Sequence, residues 1–158
     1  MKRYGWIALA VAALDQAIKA YIRTIPQGYT FFEIHGLLAL THCVNTGAAF
    51  SMLSERTFLL TIVSVMLLAA ISMYMIRKMH LTRAVYMALA FVLGGGIGNL
   101  IDRLLWGGVT DYIRLLVIQF PVFNLADIAI TVGIAVLMIL LMTDNFEVAL
   151  EDQHGSDR

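Results

Sequence analysis

Four membrane-spanning helices with a small β-containing segment on one side are the fold that this sequence predicts. Of its 158 residues, 60% are hydrophobic and only 14% are charged, and the mean hydropathy is +0.81. A soluble domain is about 45–50% apolar and 25% charged. Four apolar segments stand out, at residues 4–21, 58–76, 84–101 and 125–142. Each has about 18 residues, and the ~27 Å of helix that these make nearly matches the hydrocarbon core of a bilayer.

The four segments are predicted to be helices because lipid cannot satisfy open backbone groups. The alternating ten-residue strands that a membrane barrel needs are absent from the sequence. The N-terminus imitates a secretory signal peptide, since two basic residues precede an apolar run. Asp15 and Lys19 interrupt that run and no small-residue cleavage site follows, so we expect a retained first span.

The orientation of the spans follows from the positive charges. Basic residues precede the first segment and fill the short loop between the second and third; they are Lys2, Arg3, Arg77, Lys78 and Arg83. The positive-inside rule places both regions in the cytoplasm, and four spans then return the C-terminus there. We expect residues 1–143 to form a single membrane domain and residues 144–158 to be a polar cytoplasmic tail without a catalytic role.

Two longer segments remain on the outer side, at residues 22–56 and 102–124. The aromatic and β-prone residues of the first predict a few short strands at the membrane surface, between the first two helices. In the second, residues 115–118 predict a strand or an interfacial segment that stops at Pro121.

The polar residues that are costly to place in a membrane all map to this outer side. They are Asp15, Lys19, Asn45, Asn99, Asp102, Arg103, Asp111, Asn124 and Asp127. One site at the outer leaflet explains this distribution, whereas scattered structural groups do not. Two aspartates that meet can share one proton and activate water between them, which is the chemistry of an aspartic protease. Asp111 and Asp127 are the predicted pair.

Each polar group also has a structural interpretation. Asp15 and Lys19, at i and i+4, form a self-neutralising ion pair. The segment around Asn45 is typical of a turn. Asn124 with Asp127 three residues later resembles a capping box at the start of a helix. Capping favours the charged carboxylate, whereas burial beside a second carboxylate favours a shared proton. The sequence does not show which of these two effects is larger at Asp127.

A glycine-rich run lies inside the third segment. Glycines let helices approach closely in lipid, and no Lys-Ser/Thr follows to make a phosphate-binding loop. Gly95, Asn99 and Arg103 stand at steps of four, which predicts one helix face that admits another chain. Asp102 is expected to hold Arg103 or Lys19 in place.

The residue patterns that metal-dependent and serine catalysis need are absent from the sequence. The four histidines have no metal-ligand spacing, and the serines have no base partner or nucleophile elbow, so neither a metal nor another cofactor is expected. The single Cys43 beside His42 is an alternative nucleophile, although a small buried residue is the favoured interpretation. There is no basic tract, so nucleic acid is not an expected partner.

Taken together, the motifs resemble the lipoprotein signal peptidase family, also called signal peptidase II. Five blocks stand in the family's order, around the four spans and over nearly the whole chain short of the acidic tail. They are Asp15-Gln16-x-x-Lys19, Asn45-x-Gly47-x-x-Phe50, Gly94-Gly95-x-x-Gly98-Asn99-x-x-Asp102-Arg103, Val109-x-Asp111 and Phe123-Asn124-x-Ala126-Asp127. Two departures are minor: Gly96 stands where the family often has Ala, and Phe120 where it often has Trp.

The resemblance implies a bacterial inner-membrane aspartic endopeptidase that removes the signal peptide from prolipoproteins. The cut falls just before a cysteine that carries diacylglycerol. Asp111 and Asp127 match the catalytic pair. The remaining predicted site residues, which bind substrate or organise the site, are Asp15, Lys19, Asn45, Gly47, Gly95, Asn99, Asp102, Arg103, Val109, Asn124 and Ala126.

The resemblance also implies inhibition by the cyclic peptide globomycin, and membrane phospholipid as the surroundings. A monomer is sufficient, because both aspartates are on one chain. Two other functions are weighed against it. A proton-coupled transporter would use the acidic residues as a relay, but the inner halves of the last three spans carry no ionisable group. A non-enzymatic assembly factor would use them only as paired and capped structural groups.

Overall fold

The computed structural model describes residues 2–47, 57–77 and 81–143. The elements in chain order are α1 (Lys2–Ile22), β1 (Thr30–Ile34), β2 (Leu38–Asn45), α2 (Thr57–Arg77), α3 (Arg83–Trp106), β3 (Val109–Leu115) and α4 (Leu125–Met142). All four helices are long and apolar enough to cross a membrane. The strands form one antiparallel sheet in the order β1-β2-β3. The predicted fold class is therefore confirmed. Lys78, the predicted tail and residues 48–56 of the outer segment lie outside the described residues.

Helix α3 lies at the centre of the bundle and contacts the other three helices. Its glycines allow this close packing. A Cβ on Gly94 would lie 2.6 Å from the Ala8 carbonyl oxygen of α1, and one on Gly95 would lie 2.9 Å from Ile130 of α4; one on Gly96 would meet α2. The prediction that the glycine face admits another chain is therefore wrong at Gly95. The protein's own helices fill that space, because close van der Waals contact holds helices together in lipid.

The two ends of the bundle differ in chemistry. At one end, Tyr4 of α1 stacks on Tyr86 of α3 with ring centroids 5.0 Å apart, inside an apolar cluster that includes Val85 and Leu89. The other end holds the sheet and the buried polar residues. The outer faces of the helices expose large apolar side chains, among them Phe58, as expected for surfaces that face lipid.

Helix α3 is longer than the sequence predicted, because it continues past residue 101 to Trp106. Asp102 does not end the helix, since its carboxylate turns inward and finds partners there. Gly107 then takes a left-handed φ of 69°, which glycine adopts without steric cost. The chain reverses at this point and enters β3 directly.

The sheet draws on both outer segments. Strands β1 and β2 lie within residues 22–56, as predicted. Of residues 115–118, predicted as a strand or an interfacial segment, only Leu115 belongs to a strand. The strand β3 is Val109–Leu115, and its register pairs Leu115 with Leu38 and Val109 with Asn45 of β2. Pairing with β2, rather than the local apolar run, determines where β3 lies. Phe123 then bridges back to Ile113 just before α4 begins.

Candidate active site

Asp111 lies in the middle of β3, where its Cα partner on β2 is Cys43. Only 2% of its surface is exposed. The Asn45 side-chain amide donates to its Oδ2 at 3.0 Å, and the Asn124 side-chain amide donates to its Oδ1 at 2.6 Å. Both carboxyl oxygens of Asp111 are therefore held by neutral amides from two different elements.

Asp127 lies in the first turn of α4, three residues after the N-cap Asn124. The predicted capping box is present: the Asp127 backbone N–H donates to Asn124 Oδ1 at 2.9 Å, and the Asn124 N–H donates to Asp127 Oδ2 at 3.2 Å. The other carboxyl oxygen accepts a hydrogen bond from the Asn99 amide of α3 at 2.8 Å. Asp127 therefore caps the helix with one oxygen and joins a tertiary network with the other.

Asn124 and Asn45 both donate to Asp111, and their amide orientations are determined by their other partners. Asn124 Oδ1 accepts from a backbone N–H, so its Nδ2 faces Asp111 and also reaches Asn99 Oδ1 at 3.2 Å. Asn45 Oδ1 accepts from the Gly47 N–H at 3.0 Å, so its Nδ2 also faces Asp111. The Asp111 carboxyl is therefore held by two oriented amides, and Asn124 joins it to Asn99, which donates to Asp127.

The electrostatics of the site favour a proton on Asp111. Burial first, and then the nearby charge of Asp127, raise its pKa from 3.8 to about 7 against the lowering effect of the two asparagine amides. Desolvation penalises the charged form of a carboxyl, and a second carboxylate penalises it again. The charge of Asp127 is therefore felt at Asp111.

Next to the pair lies an ionic cluster made of Asp15, Lys19, Arg23 and Asp102. Lys19 Nζ contacts Asp15 Oδ2 at 2.8 Å and Asp102 Oδ2 at 3.5 Å, and Arg23 Nη1 contacts Asp102 Oδ1 at 3.2 Å. Two carboxylates face two cations, so the cluster carries no net charge. Buried ions require such pairing, because leaving one partner uncompensated costs several kcal/mol, on the order of 3–5.

The ionic cluster is attached to the carboxylate pair at three points. Lys19 donates to Asn99 Oδ1 at 2.8 Å, and Asn99 in turn donates to Asp127. The Thr110 N–H, adjacent to Asp111, donates to Asp102 Oδ2 at 2.7 Å. The Ala126 N–H, adjacent to Asp127, donates to Asp15 Oδ1 at 3.1 Å. The cluster therefore positions the backbone beside each predicted catalytic residue.

Two residues of this region, Gln16 and Arg23, were not among the predicted site residues. Gln16 donates to Asp102 at 2.8 Å, and Arg23 adds a contact to Thr110 Oγ1 at 3.3 Å while its guanidinium lies 5.0 Å from the Trp106 ring centroid. The sequence did contain a signal for Arg23. It stands four residues after Lys19, a spacing that places both side chains on one helical face. Asp102 holds Lys19, as one of the two predicted alternatives stated.

A first cavity of about 540 Å³, with a mostly apolar lining, opens beside the pair. Its polar lining residues include Asp111, Asp127, Asn45, Asn99 and Arg103. Gly47 and Val109 also line it. Apolar side chains of α4 and of residues 115–123 complete the wall. Ala126 is fully buried behind Asp127, and Gly95 allows the Ala126 carbonyl to approach α3. These two residues support the site from behind.

Cys43 does not have the environment of a nucleophile. Burial raises the pKa of its thiol, and the charge of Asp111 raises it further. Because the thiolate is the reactive form, a raised pKa lowers reactivity. The cysteine therefore fits the structural interpretation better than the nucleophilic one.

Comparison with known proteins agrees with this architecture. A family model described as signal peptidase (SPase) II matches residues 7–143. The lipoprotein signal peptidase of Streptococcus pneumoniae is 34% identical over 87% of this chain and 91% of its own. That of Brevibacillus brevis is 36% identical over 89% and 95%. A solved structure described as a bacterial membrane enzyme is similar with a TM-score of 0.85 and 31% identity, over 91% of this chain and 90% of that one. The chain is therefore a multi-pass membrane peptidase that belongs to the signal peptidase II family.

Proposed function

We propose that this peptidase removes the signal peptide from diacylglyceryl-modified bacterial prolipoproteins, cutting just before the lipidated cysteine. Asp111 and Asp127 are its catalytic residues. The observation that carries the proposal is that both carboxyls line one mostly apolar cavity, where the pKa of Asp111 is raised to about 7. Below about pH 7 the raised pKa keeps a proton on Asp111, and one proton on a pair of carboxyls is the state that aspartic peptidase chemistry requires.

In this mechanism Asp111 carries the proton and Asp127 is ionised. Asp127 accepts two N–H donors at the N-terminus of α4, where the helix dipole favours a negative charge. Asp127 takes a proton from water, and the water oxygen bonds to the scissile carbonyl carbon. Asp111 donates a hydrogen bond to the carbonyl oxygen as negative charge develops there. The C–N bond then breaks, and the cysteine amine leaves with a proton supplied by the pair.

Three groups of residues serve this reaction. Asn45, Gly47, Val109 and Arg103 line the cavity and contact the substrate backbone. Asn99 and Asn124 orient the two carboxyls, and Asp15, Lys19 and Asp102 hold those asparagines and the adjacent backbone. With one proton on the pair, the single remaining negative charge is balanced by the Arg103 guanidinium in the same cavity.

The apolar wall of the first cavity suits a lipidated substrate. The apolar wall includes Ile128, Ile130 and Val132 of the spanning helix α4, so the diacylglyceryl group and the signal helix approach from the membrane. Each buried methylene contributes about 0.8 kcal/mol, which holds the cysteine at the depth of the pair. Phospholipid surrounds this opening, and globomycin inhibits by occupying it.

The basic residues define the orientation in this proposal. Lys2, Arg3, Arg77 and Arg83 lie at the end of the bundle opposite the sheet, so both termini are cytoplasmic and the site faces the outer side of the bacterial inner membrane. The enzyme acts as a monomer without a cofactor or nucleic acid. Labelling of single cysteines placed in β1 and near Arg83 with an impermeant reagent on whole cells tests this orientation.

The experiment that tests the function is cleavage of a lipidated prolipoprotein by purified wild type, Asp111→Asn and Asp127→Asn. Glu33→Gln, an exposed position on β1, is the matched control for loss of one carboxylate. We expect wild type and the control to cut and both aspartate variants to lose activity by roughly 10³-fold or more, as typical of removed catalytic groups. A folded aspartate variant that cuts at the wild-type rate overturns the assignment of the pair.

A further inference from the structure

A second cavity, of about 880 Å³, lies next to the first. The two share part of their walls, at Asn45, Gly47, Leu115, Phe120, Pro121 and Val122. Because Asn45 contacts Asp111 directly, a polypeptide chain with its scissile bond at the pair can continue from one cavity into the other. The two cavities therefore form one groove with the carboxylate pair in its first half.

The second cavity differs from the first in where its walls come from. Its described lining residues all belong to β2, β3 or the connections 46–47 and 116–122, and none to a spanning helix. Its lining is also more polar than that of the first cavity. This half of the groove therefore lies on the aqueous side. The substrate segment that follows the lipidated cysteine leads away from the membrane into water, so it suits this half in both direction and polarity.

Arg114 makes this half of the groove positively charged. It is exposed on β3 and, among the lining residues that the structure describes, it alone carries a formal charge. No carboxylate in the described ranges forms an ion pair with it. An unpaired guanidinium recognises carboxylates through its fixed fork of donors.

We propose that the second cavity binds the mature segment of the prolipoprotein just after the cut, and that Arg114 selects for acidic side chains there. The inference rests on the proposed function and adds a specificity residue to it. Because Arg114 is exposed, the attraction is that of a surface pair, so we expect a preference of about two- to five-fold in kcat/KM for acidic over basic side chains. Such pairs weaken with salt, and the preference should shrink as ionic strength rises.

The test uses lipidated prolipoprotein peptides that carry aspartate, asparagine or lysine shortly after the cysteine. Wild type, Arg114→Gln and Arg114→Glu are compared in zwitterionic vesicles, and again in vesicles that contain anionic lipid. We expect wild type to prefer aspartate, Arg114→Gln to lose the preference, and Arg114→Glu to prefer lysine. Arg83→Glu, at the far end of α3, makes the same charge change outside the groove and should leave the preference unchanged. The ratio of kcat/KM values within one variant does not depend on the fraction that is folded.

Three other outcomes overturn the proposal in distinguishable ways. If wild type cuts all peptides equally, the groove does not select substrates by charge, and only this inference fails. If Arg114→Glu lowers cleavage of every peptide equally, and the loss appears only in anionic vesicles, the arginine binds lipid headgroups instead. If wild type cuts none of the lipidated peptides, the proposed function itself fails.

Discussion

Replacing Asp111 by asparagine should stabilise the folded protein more at pH 8 than at pH 5. The pKa of Asp111 is raised from 3.8 to about 7, first by burial and then by the charge of Asp127. Each pKa unit corresponds to about 1.4 kcal/mol. Ionising Asp111 in the folded protein therefore costs on the order of 4 kcal/mol relative to the unfolded chain.

The sign of this effect follows from proton binding. Between pH 3.8 and about 7, folded Asp111 keeps a proton that the unfolded chain has released. The free energy of unfolding of the wild type therefore falls as pH rises through this window and is level above it. About 2 kcal/mol of the loss occurs between pH 5 and pH 7. The asparagine of the variant does not titrate and escapes this loss, and the other titrating groups largely cancel in the comparison.

The asparagine has a cost of its own that does not depend on pH. Asp111 accepts from two amides, Asn45 and Asn124, and the new side-chain NH₂ must face one of these donors. An unsatisfied buried donor costs about 1–3 kcal/mol. We therefore expect Asp111→Asn to gain about 2–3 kcal/mol of stability relative to wild type between pH 5 and pH 8, and to be more stable than wild type at pH 8, while inactive at both.

The assay is reversible unfolding in detergent micelles, followed by tryptophan fluorescence at pH 5 and pH 8. Glu33→Gln controls for loss of a carboxylate at an exposed position. Asp127→Asn should also flatten the pH dependence, because it removes the charge that helps to raise the pKa of Asp111. The reasoning is refuted if the stability difference between wild type and Asp111→Asn is the same at both pH values.

Three further outcomes are expected. First, kcat/KM of the wild type should fall as pH rises through about 7, because Asp111 must keep its proton to act as the acid; a profile that stays level to higher pH contradicts this assignment. Second, Gly95→Ala should destabilise by about 1–3 kcal/mol, because its methyl meets backbone of α4 that cannot move aside. Gly5→Ala, with nothing within 4 Å, should be neutral or slightly stabilising, and thermal unfolding separates the two. Third, Arg23→Gln removes a cation from Asp102 and should lower kcat about tenfold with little change in KM, since Asp102 holds the backbone beside the pair. A rise in KM alone would indicate substrate contact instead.

The membrane architecture was largely predictable from the sequence. The four spans were found because bilayer thickness sets the length of an apolar helix and leaves helix as the only way to satisfy its backbone. Helix α4 was predicted with the same bounds, 125–142, that the structure has. The end of α3 was misplaced because Asp102 was treated as an interfacial residue. A buried carboxylate with a cation and an amide within reach does not need to end a helix.

The gathering of polar residues at one end was also predictable, since each costly group had to lie where partners or water are available. Their pairing was not. Asp15 and Lys19 were an evident pair from their spacing, whereas the contacts of Asn99 with Lys19, Asn124 and Asp127 join residues far apart in the chain. Sequence spacing carries no information about such contacts unless both partners lie on one helix.

The sequence by itself determined which segments cross the membrane and which residue types are concentrated at one end of the bundle, because these depend on local hydropathy and helical period. Only the tertiary structure decided that β3 pairs with β2, that Gly95 packs against α4 rather than a substrate, and that Asp111 is buried beside Asp127. These outcomes depend on distances between separate elements. A carboxyl acquires a raised pKa from its surroundings in three dimensions, and the same aspartate in an open strand would remain an ordinary acid.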